Sequence, residues 1–295
     1  MPHHDAPSGP PFRDPYPLRG RAALVTGASR RGGIGFAVAR RLAAYGASVY
    51  LHHHRPHDED QPWGADEATP AELAAAVREV ALDGAVVAHG PGDLADPDAP
   101  AALVAEATAA LGADRLDVLV ANHGRSGGDG PLDAVDAAML DAHWAVNTRS
   151  VILLVQALAR QGRAPGGPSG RIVVMTSGQD VRGGMPDELA YGLAKGALSS
   201  AVRTLATALG ADRYTVNAVN PGPVDTGYLT DEDHAAVAGL FPGGAWAEPD
   251  EPARLVSWLA TDEARWITGE VVNSEGGFAR WPPPAGRGGP GSGHA

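Results

Sequence analysis

The sequence predicts an α/β fold: a single-domain, doubly wound parallel sheet with helices on both faces. Three observations carry this. Short β-type runs alternate with longer helix-like segments through nearly the whole chain. The strand runs are almost continuously apolar, as parallel strands covered on both faces must be. A glycine-rich turn, VTGASRRGGIG, joins the first strand to the first helix.

The elements follow in order. AALVT (22–26) is the first strand, and GFAVARRLAAYG (35–46) is the helix that returns from it. SVYLH (48–52) is the second strand, followed after a long link by the helix PAELAAAVREVALDG (70–84). AVVAH (85–89) and DVLVAN (117–122) are strands separated by the helix DAPAALVAEATAALG (98–112). One long helical stretch, AAMLDAHWAVNTRSVILLVQALARQ, leads to the strand RIVVMTS (171–177). The helix ELAYGLAKGALSSAVRTLATALG (188–210), the strand TVNAVNP (215–221), the helix EPARLVSWLATD (251–262) and the strand EVVN (270–273) complete the sheet. No internal repeat and no second domain is visible. Residues 1–18 and 281–295 are rich in Pro and Gly and poor in aliphatics, so they are expected to be disordered tails around a domain at 19–280.

Composition narrows the function. A formal charge of −12 disfavours nucleic acid and anionic membrane surfaces as partners. With no cysteine there is no disulfide or thiolate chemistry, which fits a reducing cytoplasm. Apolar stretches break well short of a spanning helix, and the first residues lack the basic and apolar regions of a signal peptide. The expectation is a soluble cytoplasmic protein.

Two patterns point to chemistry. Gly27, Gly32, Gly33 and Gly35 let the backbone turn sharply and approach a pyrophosphate at a helix N-terminus, although a tight strand-to-helix turn can also be glycine-rich for steric reasons alone. Tyr191 and Lys195 in AYGLAK lie four residues apart on one helix face, either as a catalytic pair or as two polar residues on a helix rim.

Taken with ANHG (121–124), Asn147 in HWAVN, Ser177 and NPGPVDT (220–226), these patterns resemble the short-chain dehydrogenase/reductase family, with its Rossmann fold, in the branch of the 3-oxoacyl carrier-protein reductases. The resemblance covers about residues 19–280. It implies that Tyr191 is the general acid or base at the carbonyl oxygen and that Lys195 lowers the phenol's pKa while holding the nicotinamide ribose. It also implies that Ser177 hydrogen-bonds the substrate oxygen and that Asn147 belongs to a proton relay reaching Lys195. Its implied cofactor contacts are Gly27, Ser29, Arg30, Gly33, Ile34 and Gly35 in the first loop, and Asp93 and Leu94 at the adenine. Asn122, Gly124, Tyr191 and Lys195 line the ribose side, and Pro221, Gly222, Val224 and Thr226 hold the carboxamide.

NADP(H) is expected over NAD(H). The second strand ends in LHHHRP, with His52, His53, His54 and Arg55 and no carboxylate, and Arg30 adds a second candidate phosphate ligand. The first loop is two residues longer than the family's usual spacing, which leaves the middle glycine's role to Gly32 or Gly33. His123 stands where the family has alanine, either tuning the pocket or packed beside it.

The link at 52–70 carries four histidines and several carboxylates. Consecutive histidines in an extended chain point to opposite sides, so a surface loop anchored by Trp63 is expected rather than a metal site. Residues 227–246 sit where the family has a lid over substrate, and Tyr228, Leu229, Leu240, Phe241 and Trp246 suggest a partly apolar pocket. The function expected is reduction of a ketone, either a 3-oxoacyl thioester or a specialised-metabolite ketone. The alternatives are an NAD-dependent alcohol dehydrogenase of the same fold and a non-catalytic dinucleotide-binding sensor or scaffold. The family also implies a homodimer or homotetramer built through the helices at about 134–161 and 188–210.

Overall fold

A computed structural model describes residues 14–163, 167–180, 185–228 and 231–278. Most of both expected tails, and Leu229 of the lid, lie outside these residues. Leu18, expected in the first tail, is buried and donates its amide to Tyr45 O at 2.9 Å, so packing begins earlier than expected.

Seven parallel strands form one sheet in the order β3-β2-β1-β4-β5-β6-β7. They are β1 (Ala22–Val25), β2 (Ser48–His53), β3 (Val87–Pro91), β4 (Val118–Ala121), β5 (Gly170–Met175), β6 (Tyr214–Asn220) and β7 (Val271–Asn273). Every residue of β1 is buried, because successive side chains feed two different cores. Ala23 and Val25 pack with Val38 and Leu42 of α1 (Ile34–Ala44), Leu73 of α3 (Pro70–Arg78) and Val256 of α9 (Asp250–Leu259). Ala22 and Leu24 pack on the other face with Leu103 of α4 (Ala99–Ala110), Leu154 of α6 (Ser150–Arg160) and Leu198 of α7 (Leu189–Leu209). Strand order reverses between β1 and β4, which opens a crevice beyond their carboxyl ends.

Three local differences from the expected elements have identifiable causes. β3 starts two residues later than expected, in register Val49↔Val87 to His53↔Pro91. A turn from Ala85 N to Leu82 O takes up the first residues, and Gly90 leaves room for the Tyr50 hydroxyl, which would lie 2.0 Å from any Cβ there. Pro91 is tolerated because β3 is an edge strand.

The long helix expected before β5 is broken into α5 (Ala137–Trp144), a π-helical turn (Ala145–Arg149) and α6. Such turns insert one residue into the helical ladder and cluster at functional sites.

The link after β2 is not wholly loop, since α2 (Arg55–Glu59) forms within it. Trp63 does act as its anchor: its ring meets Tyr228 edge-on at 6.2 Å and lies 5.9 Å from the Arg30 guanidinium. Tyr228 in turn meets Trp246, and α8 (Asp231–Ala238) completes that region. No helix among the described residues is long and apolar enough to cross a membrane.

Candidate functional site

The glycine loop is fixed by close packing. Gly27 has φ +69°, and a Cβ there would stand 2.7 Å from His123 Cα. At Gly35 a Cβ would meet Gly27 O at 2.4 Å and Asn122 Nδ2 at 2.7 Å. Gly35→Ala is therefore expected to destabilise the fold by about 1–3 kcal/mol, read as a lower denaturation midpoint. An unchanged midpoint would contradict this packing.

The two extra loop residues are absorbed by a turn from Gly33 N to Arg30 O, so Gly33, not Gly32, forms the N-cap of α1. No side chain caps that helix and its first turn carries no acid. Its first amides are thus suited to an anion such as a pyrophosphate.

Asn122 donates to Thr26 O and Gly27 O, each at 3.0 Å, and so ties the loop to β4. His123 is packed rather than open to substrate. Its Nε2 meets Val146 O at 3.1 Å and Ser150 Oγ at 2.7 Å, its Nδ1 meets Thr26 Oγ1 at 2.7 Å, and burial holds its pKa well below the ordinary value.

His52 plays a similar part. Its Nδ1 accepts from Gly27 N at 3.3 Å and its Nε2 meets Gly92 O at 2.9 Å, which joins the glycine loop, β2 and the end of β3. The next residue has a different partner, with His53 Nε2 at 3.3 Å from His89 Nδ1.

A cavity of about 360 Å³ opens at the carboxyl ends of β2 and β3, lined by His53, His54, Arg55, Pro56, Pro91, Gly92 and Asp93. Asp93 Oδ1 also caps a turn at Ala95 N, and Leu94 is buried in the core. The two arginines expected at a phosphate already have protein partners. Arg55 donates to Ala68 O and Asp66 O, and Arg30 donates to Thr226 O at 2.9 Å. Ser29 and Ile34 are half-buried on the loop.

The four residues expected to be catalytic arise on three elements at the carboxyl side of the sheet. Asn147 is buried on the π turn; its Oδ1 accepts from Arg125 N at 2.7 Å and its Nδ2 donates to Arg125 O at 3.0 Å. Lys195 is buried on α7 and donates to Met175 O at 3.0 Å. Asn147 Oδ1 and Lys195 Nζ flank Gly124 at 3.4 and 3.5 Å from where its Cβ would stand. Lys195 Nζ lies 5.9 Å from the Tyr191 ring centre. Ser177 is half-buried just past Met175, whose carbonyl holds that lysine.

The electrostatics correct one expectation. Burial, reinforced by Glu188 and Tyr228, pushes the Tyr191 phenol above its ordinary value instead of lowering it. The ammonium of Lys195 donates one of its three hydrogens to Met175 O, and burial lowers its own pKa to about 8.

Beyond β6, Gly222 has φ +64° and a Cβ there would stand 2.4 Å from Glu275 Cβ, so the Pro221-Gly222 turn lies tight against the segment after β7. Val224 is buried and bridges to Ala247. A second, apolar recess of about 530 Å³ lies beside the start of α7, lined by Pro131, Leu132, Asp133, Met185, Pro186 and Leu189.

Two residues of the site were not singled out by the sequence reading. His143 meets the Tyr191 ring edge-on at 6.2 Å and lies four residues before Asn147, a spacing visible in the sequence. Asp129 accepts from Tyr191 N at 2.7 Å; as an Asp among glycines it reads only as a turn.

Residues 27–279 match the family model described as Enoyl-(Acyl carrier protein) reductase. The uncharacterized oxidoreductase YjdA of Bacillus subtilis (strain 168) is 40% identical over 260 residues, 88% of this chain and 97% of that protein. The solved short-chain dehydrogenase/reductase from Serratia marcescens BCRC 10948 superposes with TM-score 0.75 at 32% identity, covering 89% of this chain and 99% of that one. The angucycline C-6 ketoreductase LanV, solved with bound NADP, gives TM-score 0.76 at 32% identity, covering 90% and 98%. With its parallel sheet, its glycine loop and its Tyr191–Lys195 pair, the chain belongs to the short-chain dehydrogenase/reductase family: it is an oxidoreductase acting on CH–OH and C=O groups with a nicotinamide cofactor.

Proposed function

We propose that the protein is an NADP(H)-dependent ketone reductase in which Tyr191 donates the proton. The observation that carries this reading is the placement of Tyr191 one turn before the buried Lys195 on α7, at the carboxyl side of the sheet, with its phenol in the protonated form. Protonated is the state that reduction of a carbonyl requires of its general acid. Lys195, buried four residues along the same helix, holds its ammonium 5.9 Å from the Tyr191 ring centre, and Asn147, clamped on the π turn, meets that ammonium at Gly124. Ser177 is assigned the hydrogen bond to the substrate oxygen, where it stabilises charge as the oxygen gains it.

The nicotinamide supplies the hydride; the chain supplies position and protons. Gly27, Ser29, Arg30, Gly33, Ile34 and Gly35 would surround the pyrophosphate at the uncapped N-terminus of α1. Asp93 and Leu94 would lie at the adenine, Asn122, Gly124, Tyr191 and Lys195 on the ribose side, and Pro221, Gly222, Val224 and Thr226 at the carboxamide. The preference for NADP(H) is supported by the end of β2, where His53, His54 and Arg55 bring no carboxylate to the cavity and its one acid, Asp93, comes from beyond β3, and by the NADP bound to LanV.

The substrate is read as a ketone on a largely apolar body, a specialised metabolite or a 3-oxoacyl thioester. The apolar recess beside α7 and the ketoreductase named among the relatives support the first. The catalytic domain is taken as 19–280, with 227–246 as its lid, in a cytoplasmic homodimer or homotetramer. Leu140, Trp144 and Leu193, exposed on α5 and α7, support assembly through those helices; sedimentation would give the mass.

Initial rates with NADPH and NADH against polycyclic aromatic ketones and acetoacetyl thioesters test the reading. A kcat/KM for NADPH at least about tenfold above NADH is expected, since one lost phosphate contact of about 1.4 kcal/mol is worth that factor. A preference for NADH would overturn the cofactor assignment.

A further inference from the structure

The segment after β4, RSGGDG at 125–130, touches both the π turn and α7. Its first residue brackets Asn147, with Arg125 N donating to Oδ1 at 2.7 Å and Arg125 O accepting from Nδ2 at 3.0 Å. Gly127 O meets His143 Nε2 at 3.1 Å, and His143 Nδ1 lies 3.3 Å from the same Asn147 amide nitrogen. Gly127 and Gly128 both have positive φ, 71° and 59°, and so fold the segment back toward α7. Asp129 then accepts from Ala190 N at 3.0 Å and Tyr191 N at 2.7 Å, as well as from its own neighbour Gly130 N at 2.8 Å.

The first amides of a helix need acceptors from outside it, usually from the N-cap side chain. In α7 the N-cap residue is Glu188, and its carboxylate does not perform that task. It accepts instead from Gln179 Nε2 at 2.7 Å. Asp129 takes over the role from a distant loop, and one of the two α7 amides it binds belongs to Tyr191 itself. Burial works to raise the Asp129 pKa, but the amides of Tyr191, Ala190 and Gly130 and the nearby His143 outweigh it and hold the carboxyl below its ordinary value. It therefore stays an acceptor throughout the neutral range.

We propose that Asp129 is a positioning residue for the proton donor: it sets where α7 begins, and through the segment it shares with Asn147 it fixes the Tyr191 phenol relative to the relay. This rests on the reading of Tyr191 as the donor. A carboxylate that served only the fold would affect kcat, cofactor affinity and stability together. One that places the phenol should act on kcat, because misplacement by about 1 Å can cost on the order of 100-fold in rate.

The experiment compares Asp129→Ala, Asp129→Asn and Tyr191→Phe with the unmodified protein. Steady-state rates use whichever ketone of the panel above turns over fastest, and NADPH affinity is read from its fluorescence. Asp129→Ala is expected to lower kcat about 30- to 100-fold, with ketone KM and NADPH dissociation constant within about threefold. Asp129→Asn keeps one acceptor oxygen in the same place and should recover most of that loss. Unchanged kcat in Asp129→Ala, or parallel losses of kcat and NADPH affinity, would overturn the proposal while a dead Tyr191→Phe left the donor reading standing. An active Tyr191→Phe, or no ketone turned over at all, would sink both. Should Asp129→Ala not fold, Asp129→Asn decides: its expected kcat lies several-fold below that of the unmodified protein with NADPH affinity intact, and an unaltered kcat refutes the role.

Discussion

Tyr191→Phe is expected to lower kcat roughly 10²- to 10⁴-fold, the usual contribution of a positioned general acid, while NADPH binding stays within about twofold. The substitution removes one oxygen and leaves the ring, so the edge-on contact with His143 and the placement of the Lys195 ammonium 5.9 Å from the ring centre survive. The helix start is unaffected, because Asp129 binds the backbone of residues 190 and 191 rather than the phenol. Loss of turnover with retained binding would thus report the missing proton alone. Activity within tenfold of the unmodified protein would refute Tyr191 as the donor.

The second large effect is loss of stability in acid. Burial lowers the pKa of His52 and of His53 from 6.5 to about 4, and holds that of His123 well below its ordinary value. All three are neutral in the folded protein, whereas the unfolded chain takes up their protons near pH 6.5. Stability therefore rises with pH wherever the unfolded state binds more protons. The contribution is complete above about pH 6.5 and is lost as pH falls toward 4. The two histidines near 4 correspond to about 3 kcal/mol each at most, against a typical total of about 5–15 kcal/mol.

The local chemistry explains the penalty, since protonating His52 Nδ1 would set its new N–H against the N–H of Gly27 that it now accepts. A steep fall in the melting temperature between pH 6.5 and pH 4.5 is expected. A melting temperature flat across that window would contradict neutral, buried histidines.

Much of the site was legible because it is written in short, ordered patterns. Continuous apolar runs gave all seven strands, and the glycine loop and the Tyr191–Lys195 spacing picked out the two segments on which the candidate site was expected. The sequence does not display what depends on depth. Lys195 stands at i+4 from Tyr191, but only the fold reveals that its ammonium is held by Met175 O and that Glu188 and Tyr228 push the phenol the other way.

Arg30 and Arg55 suggested phosphate ligands by charge; folding gives each a carbonyl partner within the chain. The π turn is equally invisible, because a run such as HWAVNTRSV fits an uninterrupted helix until Asn147 must reach the backbone of Arg125. Asp129 escaped for a related reason, since its partner amides lie on an element far along the chain.

The wholly parallel sheet also sets terms for synthesis. β1 lies between β2 and β4, so Ala23 is paired on one side with Val49 and on the other with Val118. A chain emerging from the ribosome can complete the first pairing early but must wait for the second, and parallel pairings of this span form slowly. Until then AALV is an open, apolar strand edge, the kind that recruits other chains. A nascent chain stalled between β3 and β4 would thus be a client for chaperones, and truncation before residue 118 would leave an aggregating half-sheet instead of a smaller enzyme.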